Sequence, residues 1–116
     1  MRSFGHALEG LGYLVRTQRN FRIHLAVAVV AVLAGLAFSV SPVEWAILIV
    51  TIALVIMTEA LNTGIELAVT LASPERRPEA KAAKDIAAAA VLLAAIASVG
   101  VGVALFGPRV IALFRP

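Results

Sequence analysis

The most constraining feature of this sequence is a series of apolar runs long enough to cross a lipid bilayer. Nearly every residue from Ile23 to Val40 is apolar, and at about 1.5 Å rise per residue a helix of this length spans roughly 27 Å. Further apolar runs cover about residues 43–71 and 86–106. With 61% hydrophobic and 15% charged residues, the chain is too apolar for a small soluble domain. We therefore expect one all-α integral membrane domain over residues 1–116, with three transmembrane helices.

The segments outside these runs predict the connections. Residues 3–20 mix apolar and polar side chains at roughly helical spacing, which is typical of an amphipathic helix on the membrane surface. Ser41 and Pro42 provide a turn and a helix start. The segment from Ser73 to Lys84 contains two prolines and alternating charges, and we interpret it as an exposed loop before the third span.

The basic residues bracket the apolar runs, which favours a role in membrane orientation over nucleic-acid binding. No cysteine is present, so disulfides and thiolate chemistry are excluded. The connection from Ser39 to Glu44 carries no basic residue, and the C-terminal tail carries two. The positive-inside rule therefore predicts a cytoplasmic N-terminus, a cytoplasmic 72–85 loop and an outside C-terminus. The basic residues on the predicted cytoplasmic side are Arg2, Arg16, Arg19, Arg22, Arg76, Arg77, Lys81 and Lys84.

Three polar residues interrupt the second apolar run at a spacing that places them on one helix face. Glu59, Asn62 and Glu66 follow an i, i+3, i+7 pattern. An ionisable group within a membrane segment costs a few kcal/mol or more unless it is paired or hydrated. This face therefore indicates a polar cleft, a metal or a transported ion.

Lys84 and Asp85 lie at the start of the third span and allow two interpretations. Positive charge and helix N-terminal amides at this point can bind phosphate. Alternatively, the lysine orients the protein and the aspartate interacts with the helix dipole. His24, at the boundary of the first span, is interpreted as an interfacial anchor.

Three segments together resemble a known family. The stretch Glu59-Ala-Leu-Asn62-Thr-Gly-Ile-Glu66, followed by Ala83-Lys84-Asp85, resembles the prokaryotic diacylglycerol kinase and undecaprenol kinase family. The segment Arg16-Thr-Gln-Arg-Asn-Phe-Arg-Ile-His24 is similar to the region before the first membrane helix of that family, especially its undecaprenol kinase branch. The resemblance extends over nearly the whole chain.

The resemblance implies a homotrimer in the bacterial inner membrane, with sites built between subunits that contact membrane lipids. The implied reaction is phosphorylation of a lipid alcohol at the cytoplasmic face, with ATP and Mg²⁺. Glu59 is then the general base, Glu66 a metal ligand and Asn62 a supporting residue of the cofactor site. The implied nucleotide-binding residues are Lys84 and Asp85, with Glu75, Arg76 and Arg77 near the adenine or ribose.

The chain departs from the family pattern at two positions. Gln18 stands where the family usually has a second metal-binding glutamate, and Thr70 stands where it usually has an aspartate. Gln18 keeps an oxygen for the metal and the cofactor but carries no charge. A weakly active or non-catalytic membrane assembly protein is therefore an alternative, and mid-membrane carboxylates also suit a small ion-translocating subunit. Undecaprenol and diacylglycerol both remain open as substrates, with undecaprenol favoured by the Arg16–His24 segment.

Overall fold

A computed structural model describes residues 2–116, and these residues form four α-helices without a β-strand. Three of the helices are long and apolar enough to cross a membrane. The predicted all-helical fold with three spans is thereby confirmed, and the chain is a multi-pass membrane protein. The helices are α1 (Arg2–Thr17), α2 (Arg19–Ala37), α3 (Pro42–Ala72) and α4 (Pro78–Leu113).

A single extended residue separates α1 from α2. Gln18 has φ −110° and ψ 106° and is the N-cap of α2. The guanidinium of Arg22 donates to the carbonyls of Val15 (2.8 Å) and Arg16 (3.3 Å), which satisfies acceptors that the end of α1 leaves open. The structure thus ends the first helix at Thr17, three residues before the predicted limit.

The turn after α2 is a Schellman motif. The amide of Val40 donates to the carbonyl of Gly35 (3.2 Å), and the amide of Ser39 donates to the carbonyl of Leu36 (3.3 Å). Ser39 has φ 52°, a left-handed conformation that glycine adopts more readily than serine. These bonds reverse the chain so that α2 and α3 run antiparallel.

Helix α3 begins at the predicted Ser41–Pro42 signal. Ser41 accepts from the amide of Glu44, and Glu44 accepts from the amide of Ser41, which is a capping box. The Glu44 carboxylate also accepts two hydrogen bonds from Arg109 of α4, at 2.8 and 2.9 Å. This two-bond ion pair joins α3 and α4 at the end of the bundle opposite the α3–α4 connection.

Helix α4 begins earlier than predicted. The loop expected from Ser73 to Lys84, within the 72–85 connection, is limited to residues 73–77, because α4 starts at Pro78. Proline is favourable in the first turn of a helix, and the alanines, lysines and glutamate that follow are strong helix formers. The helix continues to Leu113 and thus extends beyond the predicted 86–106 span at both ends.

Helices α2 and α4 pack against one face of α3. Its buried residues are Leu48, Val55, Glu59 and Thr63, which recur at helical spacing and face α2 and α4. A cavity of about 390 Å³, lined almost entirely by apolar side chains, remains between these helices. Large apolar side chains elsewhere, such as Val30, Leu93 and Val103, are more than half exposed on the single chain, so lipid or further protein must cover them.

Candidate functional site

The polar face of α3 combines one buried and two half-buried side chains. Glu59 is 4% exposed and faces the helix packing. Asn62 and Glu66 are half-buried, and the Asn62 amide donates to a Glu66 carboxylate oxygen at 3.4 Å. The Thr63 hydroxyl bonds to the backbone carbonyl of Glu59 at 3.2 Å. The three residues singled out in the sequence therefore lie on one side of α3, with Glu59 enclosed and Glu66 nearer the α3–α4 connection.

Glu59 has a neighbour on α2 that sequence reasoning missed. Nε2 of His24 lies 3.7 Å from Oε2 of Glu59. His24 lies about as many residues before the turn at Ser41 as Glu59 lies after it. Because α2 and α3 are antiparallel, residues at equal distances from the turn lie side by side. These near-equal distances from the turn are the sequence signal that points to a contact between His24 and Glu59.

The Asn62 side chain leaves one buried acceptor unused. Its Oδ1 has no hydrogen-bond partner among the residues that the structure describes, and an unsatisfied buried acceptor is costly. Together with the carboxylate of Glu66 it offers oxygen ligands, which Mg²⁺ prefers. Residues 2–116 contain no cluster of three or more His, Asp or Glu side chains that could hold a metal. The donor set thus fits a Mg²⁺ that keeps water or phosphate ligands.

Gln18 lies apart from this pair in the hydrogen-bond network. It occupies the break between α1 and α2, and its amide donates to the Thr17 hydroxyl at 3.2 Å. Within the described part of the chain it makes no hydrogen bond to Glu66. The structure of the single chain therefore does not connect the two residues that the resemblance implies as metal ligands.

A second concave site, of about 590 Å³, lies around the connection between α3 and α4. It begins at Thr70, one helical turn beyond Glu66, and continues through the short connection to the first turns of α4. It brings together five of the residues implied for nucleotide binding. These are Glu75, Arg76, Arg77, Lys84 and Asp85.

The charges in this pocket are predominantly positive. Arg77 pairs with Glu75 at 3.4 Å, and Lys81 pairs with Asp85 at 2.6 Å. The exposed Lys81 ammonium donates a hydrogen bond to the Asp85 carboxylate, and this bond raises the pKa of Lys81. Arg76 and Lys84 also line the pocket, and neither makes an ion pair within residues 2–116. Two cations are thus available for an anionic ligand.

Residues 5–106 match the family of prokaryotic diacylglycerol kinases. The undecaprenol kinase of Bacillus subtilis (strain 168) is 40% identical over 108 residues, covering 93% of this chain and 88% of that protein. A diacylglycerol kinase of Synechocystis sp. is 44% identical over 112 residues, covering 96% of this chain and 64% of that protein. A diacylglycerol kinase of Pseudomonas aeruginosa is 34% identical over 90 residues, covering 78% and 73%. The chain therefore belongs to the prokaryotic diacylglycerol kinase family and is a lipid kinase.

Proposed function

We propose that the chain transfers the γ-phosphate of ATP to the hydroxyl of a membrane lipid alcohol, with Mg²⁺, at the cytoplasmic face. Undecaprenol and diacylglycerol are the candidate acceptors, because the relatives at 40% and 44% identity are named as kinases of these two lipids. The basic residues around α1 and the α3–α4 connection favour a cytoplasmic position for both. Helix α1 then lies on the cytoplasmic membrane surface, and the C-terminus faces outside.

The observation that carries the proposal is the order of groups along α3. Glu59 lies seven residues from Glu66, which is roughly 10 Å along a helix axis, and Thr70 at the edge of the basic pocket lies one further turn away. A lipid acceptor in the bilayer reaches α3 from the Glu59 end. A nucleotide in water reaches α3 from the Thr70 end. A phosphoryl group held between them has a carboxylate on the lipid side and cations on the aqueous side.

The chain's own residues divide the work of transfer. Glu59 accepts the proton of the lipid hydroxyl as the oxygen attacks phosphorus. Lys84 and Arg76, which line the pocket and make no ion pair within residues 2–116, bind the phosphates through their side-chain charges. No glycine loop with phosphate-binding amides is present in the sequence. Glu66 and Asn62, with Gln18, would hold Mg²⁺. Bound Mg²⁺ would neutralise charge on the phosphate oxygens.

We further propose that three copies assemble, with each site completed between subunits. Glu66 is half-buried, and Oδ1 of Asn62 has no hydrogen-bond partner within residues 2–116. One chain therefore offers few ligands to a metal at this site. The large apolar surface that α2 and α4 leave uncovered offers room for neighbouring helices. Gln18 would then approach Glu66 of a neighbouring chain.

The test is a phosphotransfer assay on the detergent-purified protein. Labelled ATP and Mg²⁺ are supplied with undecaprenol or diacylglycerol, and label in each lipid is counted. Glu59→Gln keeps the size of the side chain but removes the base, so we expect transfer to fall by about 10²-fold or more. Glu9→Gln, an exposed acid on α1, is the matched control and should retain activity. Full activity of Glu59→Gln would remove Glu59 from its role, and absence of label in both lipids would contradict the proposed reaction.

A further inference from the structure

Glu59 and His24 form an isolated ionisable pair. The Glu59 side chain is 5% exposed, and the distance from its Oε2 to His24 Nε2 is 3.7 Å. On α2 no ionisable residue follows His24, on α3 none lies between Glu44 and Glu59, and on α4 none lies from Ile86 to Pro108. Between Glu44 and Glu66 on α3 the one ionisable residue is Glu59, and after Arg22 on α2 it is His24.

The charged groups at the cytoplasmic ends of the helices are engaged with other partners or line other surfaces. Arg22, two residues before His24, donates to carbonyls at the end of α1. On α1, His6 and Glu9 pair with each other. On α3, Glu66 accepts from Asn62. On α4, the basic pocket is lined by Lys81, Lys84 and Asp85.

His24 contacts the buried carboxylate of Glu59 and also lines the cavity between the helices. Its side chain is 22% exposed, and it lies on the wall of the 390 Å³ cavity between α2, α3 and α4, whereas Glu59 does not line that cavity. Among residues 2–116, His24 is the titratable group next to Glu59 that can take up its proton. The imidazole is thus the group that contacts both Glu59 and a region accessible to small molecules.

We propose that His24 receives the proton that Glu59 removes from the lipid hydroxyl, and so resets Glu59 for the next turnover. This inference rests on the proposed function. In the transfer step the lipid oxygen bonds to the γ-phosphorus, the bond from that phosphorus to the bridging oxygen of ADP breaks, and ADP keeps the electron pair. The hydroxyl proton passes to Glu59 and then to Nε2 of neutral His24. The imidazolium releases a proton to water, which restores the neutral ring.

An imidazole suits this role because it changes charge between about pH 5 and 8. It can therefore accept a proton and release it within one turnover at neutral pH. Since His24 contacts Glu59 and not the reacting atoms, it is a positioning residue that acts through the base. A purely structural role would leave the pH dependence of turnover unaltered.

The experiment measures kcat against pH for the wild type and for His24→Gln, with the KM for ATP as a second readout. Glutamine remains polar but cannot carry the proton, so kcat should fall by about tenfold or more. The KM for ATP should change less than about twofold, since His24 is not among the residues assigned to the nucleotide or to Mg²⁺. The dependence of kcat on pH should differ between the wild type and His24→Gln. Thr51→Val, which alters the same cavity wall away from Glu59, should preserve both kcat and the profile.

A second variant keeps the test decisive if His24→Gln folds poorly. His24→Ala leaves a space beside the cavity, and added imidazole should restore activity several-fold there but not in Thr51→Val. An unchanged pH profile in His24→Gln, or a loss of kcat that is equal at all pH values and not rescued by imidazole in His24→Ala, would overturn the inference. Glu59→Gln is assayed in parallel: its full activity would refute the proposed base, whereas its inactivity with unaltered His24 profiles would refute the relay alone.

Discussion

Replacing Gly35 with alanine should destabilise the bundle, because Trp45 occupies the space that the new methyl group needs. Gly35 is a buried residue in the last turn of α2. A Cβ built there would lie 2.7 Å from one ring carbon of Trp45 and 3.1 Å from two others. Carbon atoms in favourable contact are about 3.5–4.0 Å apart, so the ring or the helix must move by close to an ångström.

The expected size of the effect follows from two opposing contributions. Forcing an extra methyl group into a packed region costs typically about 1–3 kcal/mol. Alanine gains at most about 1 kcal/mol over glycine from helix propensity. Because the obstacle is a rigid ring and not the end of a flexible side chain, we expect a net loss of about 1–2 kcal/mol. This corresponds to roughly a 5- to 30-fold change in the folding equilibrium.

The assay is reversible unfolding of the detergent-solubilised protein by increasing SDS fraction, followed by circular dichroism at the helix band. Gly100→Ala on α4 is the matched control, because a Cβ there meets no atom of the chain within 4 Å. In the Trp45→Leu background the ring is absent, and Gly35→Ala should be neutral or stabilising. If Gly35→Ala destabilises the protein equally with and without Trp45, contact with that ring is not the cause and the reasoning fails.

Two further predictions concern the proposed cofactor site. Lys84→Ala should raise the KM for ATP about tenfold, since a charge-assisted hydrogen bond to phosphate contributes roughly 1.5–3 kcal/mol. Lys81→Ala should change the KM for ATP less than about threefold, because the exposed ammonium of Lys81 already pairs with Asp85. Equal effects of the two substitutions would argue against Lys84 as a phosphate ligand. Gln18→Glu restores the charge usual in the family and should lower the Mg²⁺ concentration for half-maximal activity several-fold, as measured by a Mg²⁺ titration at saturating ATP. An unaltered titration curve would place Gln18 away from the metal.

The spans could be predicted because lipid imposes a minimum length on any helix that crosses it. The apolar run from Ile23 to Val40 meets that length, and the Ser41–Pro42 signal defines where the next helix begins. The start of α4 was predicted wrongly because a proline followed by charged residues, as at Pro78, is also typical of a loop. The same proline is favourable in a first helical turn, and the alanines that follow it propagate the helix.

The candidate site was predictable along each helix but not between helices. The spacing of Glu59, Asn62 and Glu66 places them on one face whatever the tertiary structure. The contact between His24 and Glu59 depends on the register of α2 against α3, which the turn at Ser39 determines. A serine in the left-handed conformation has no reliable sequence signal, because most residues avoid that region. The near-equal distances of His24 and Glu59 from the turn place them at the same level of the bundle, and the structure shows that the two side chains meet.

The early start of α4 bears directly on how phosphates could be held without a glycine loop. In a flexible loop, Lys81, Lys84 and Asp85 would have no defined spacing, and ordering them around a nucleotide would cost conformational entropy. On a helix that begins at Pro78, Lys84 and Asp85 follow Lys81 by three and four residues, so each lies next to Lys81 on the helix surface. Lys81 restrains Asp85, and Lys84 projects from the adjacent turn. The pocket is thus preorganised by helix geometry, which supports the proposal that its side chains bind the phosphates in place of backbone amides.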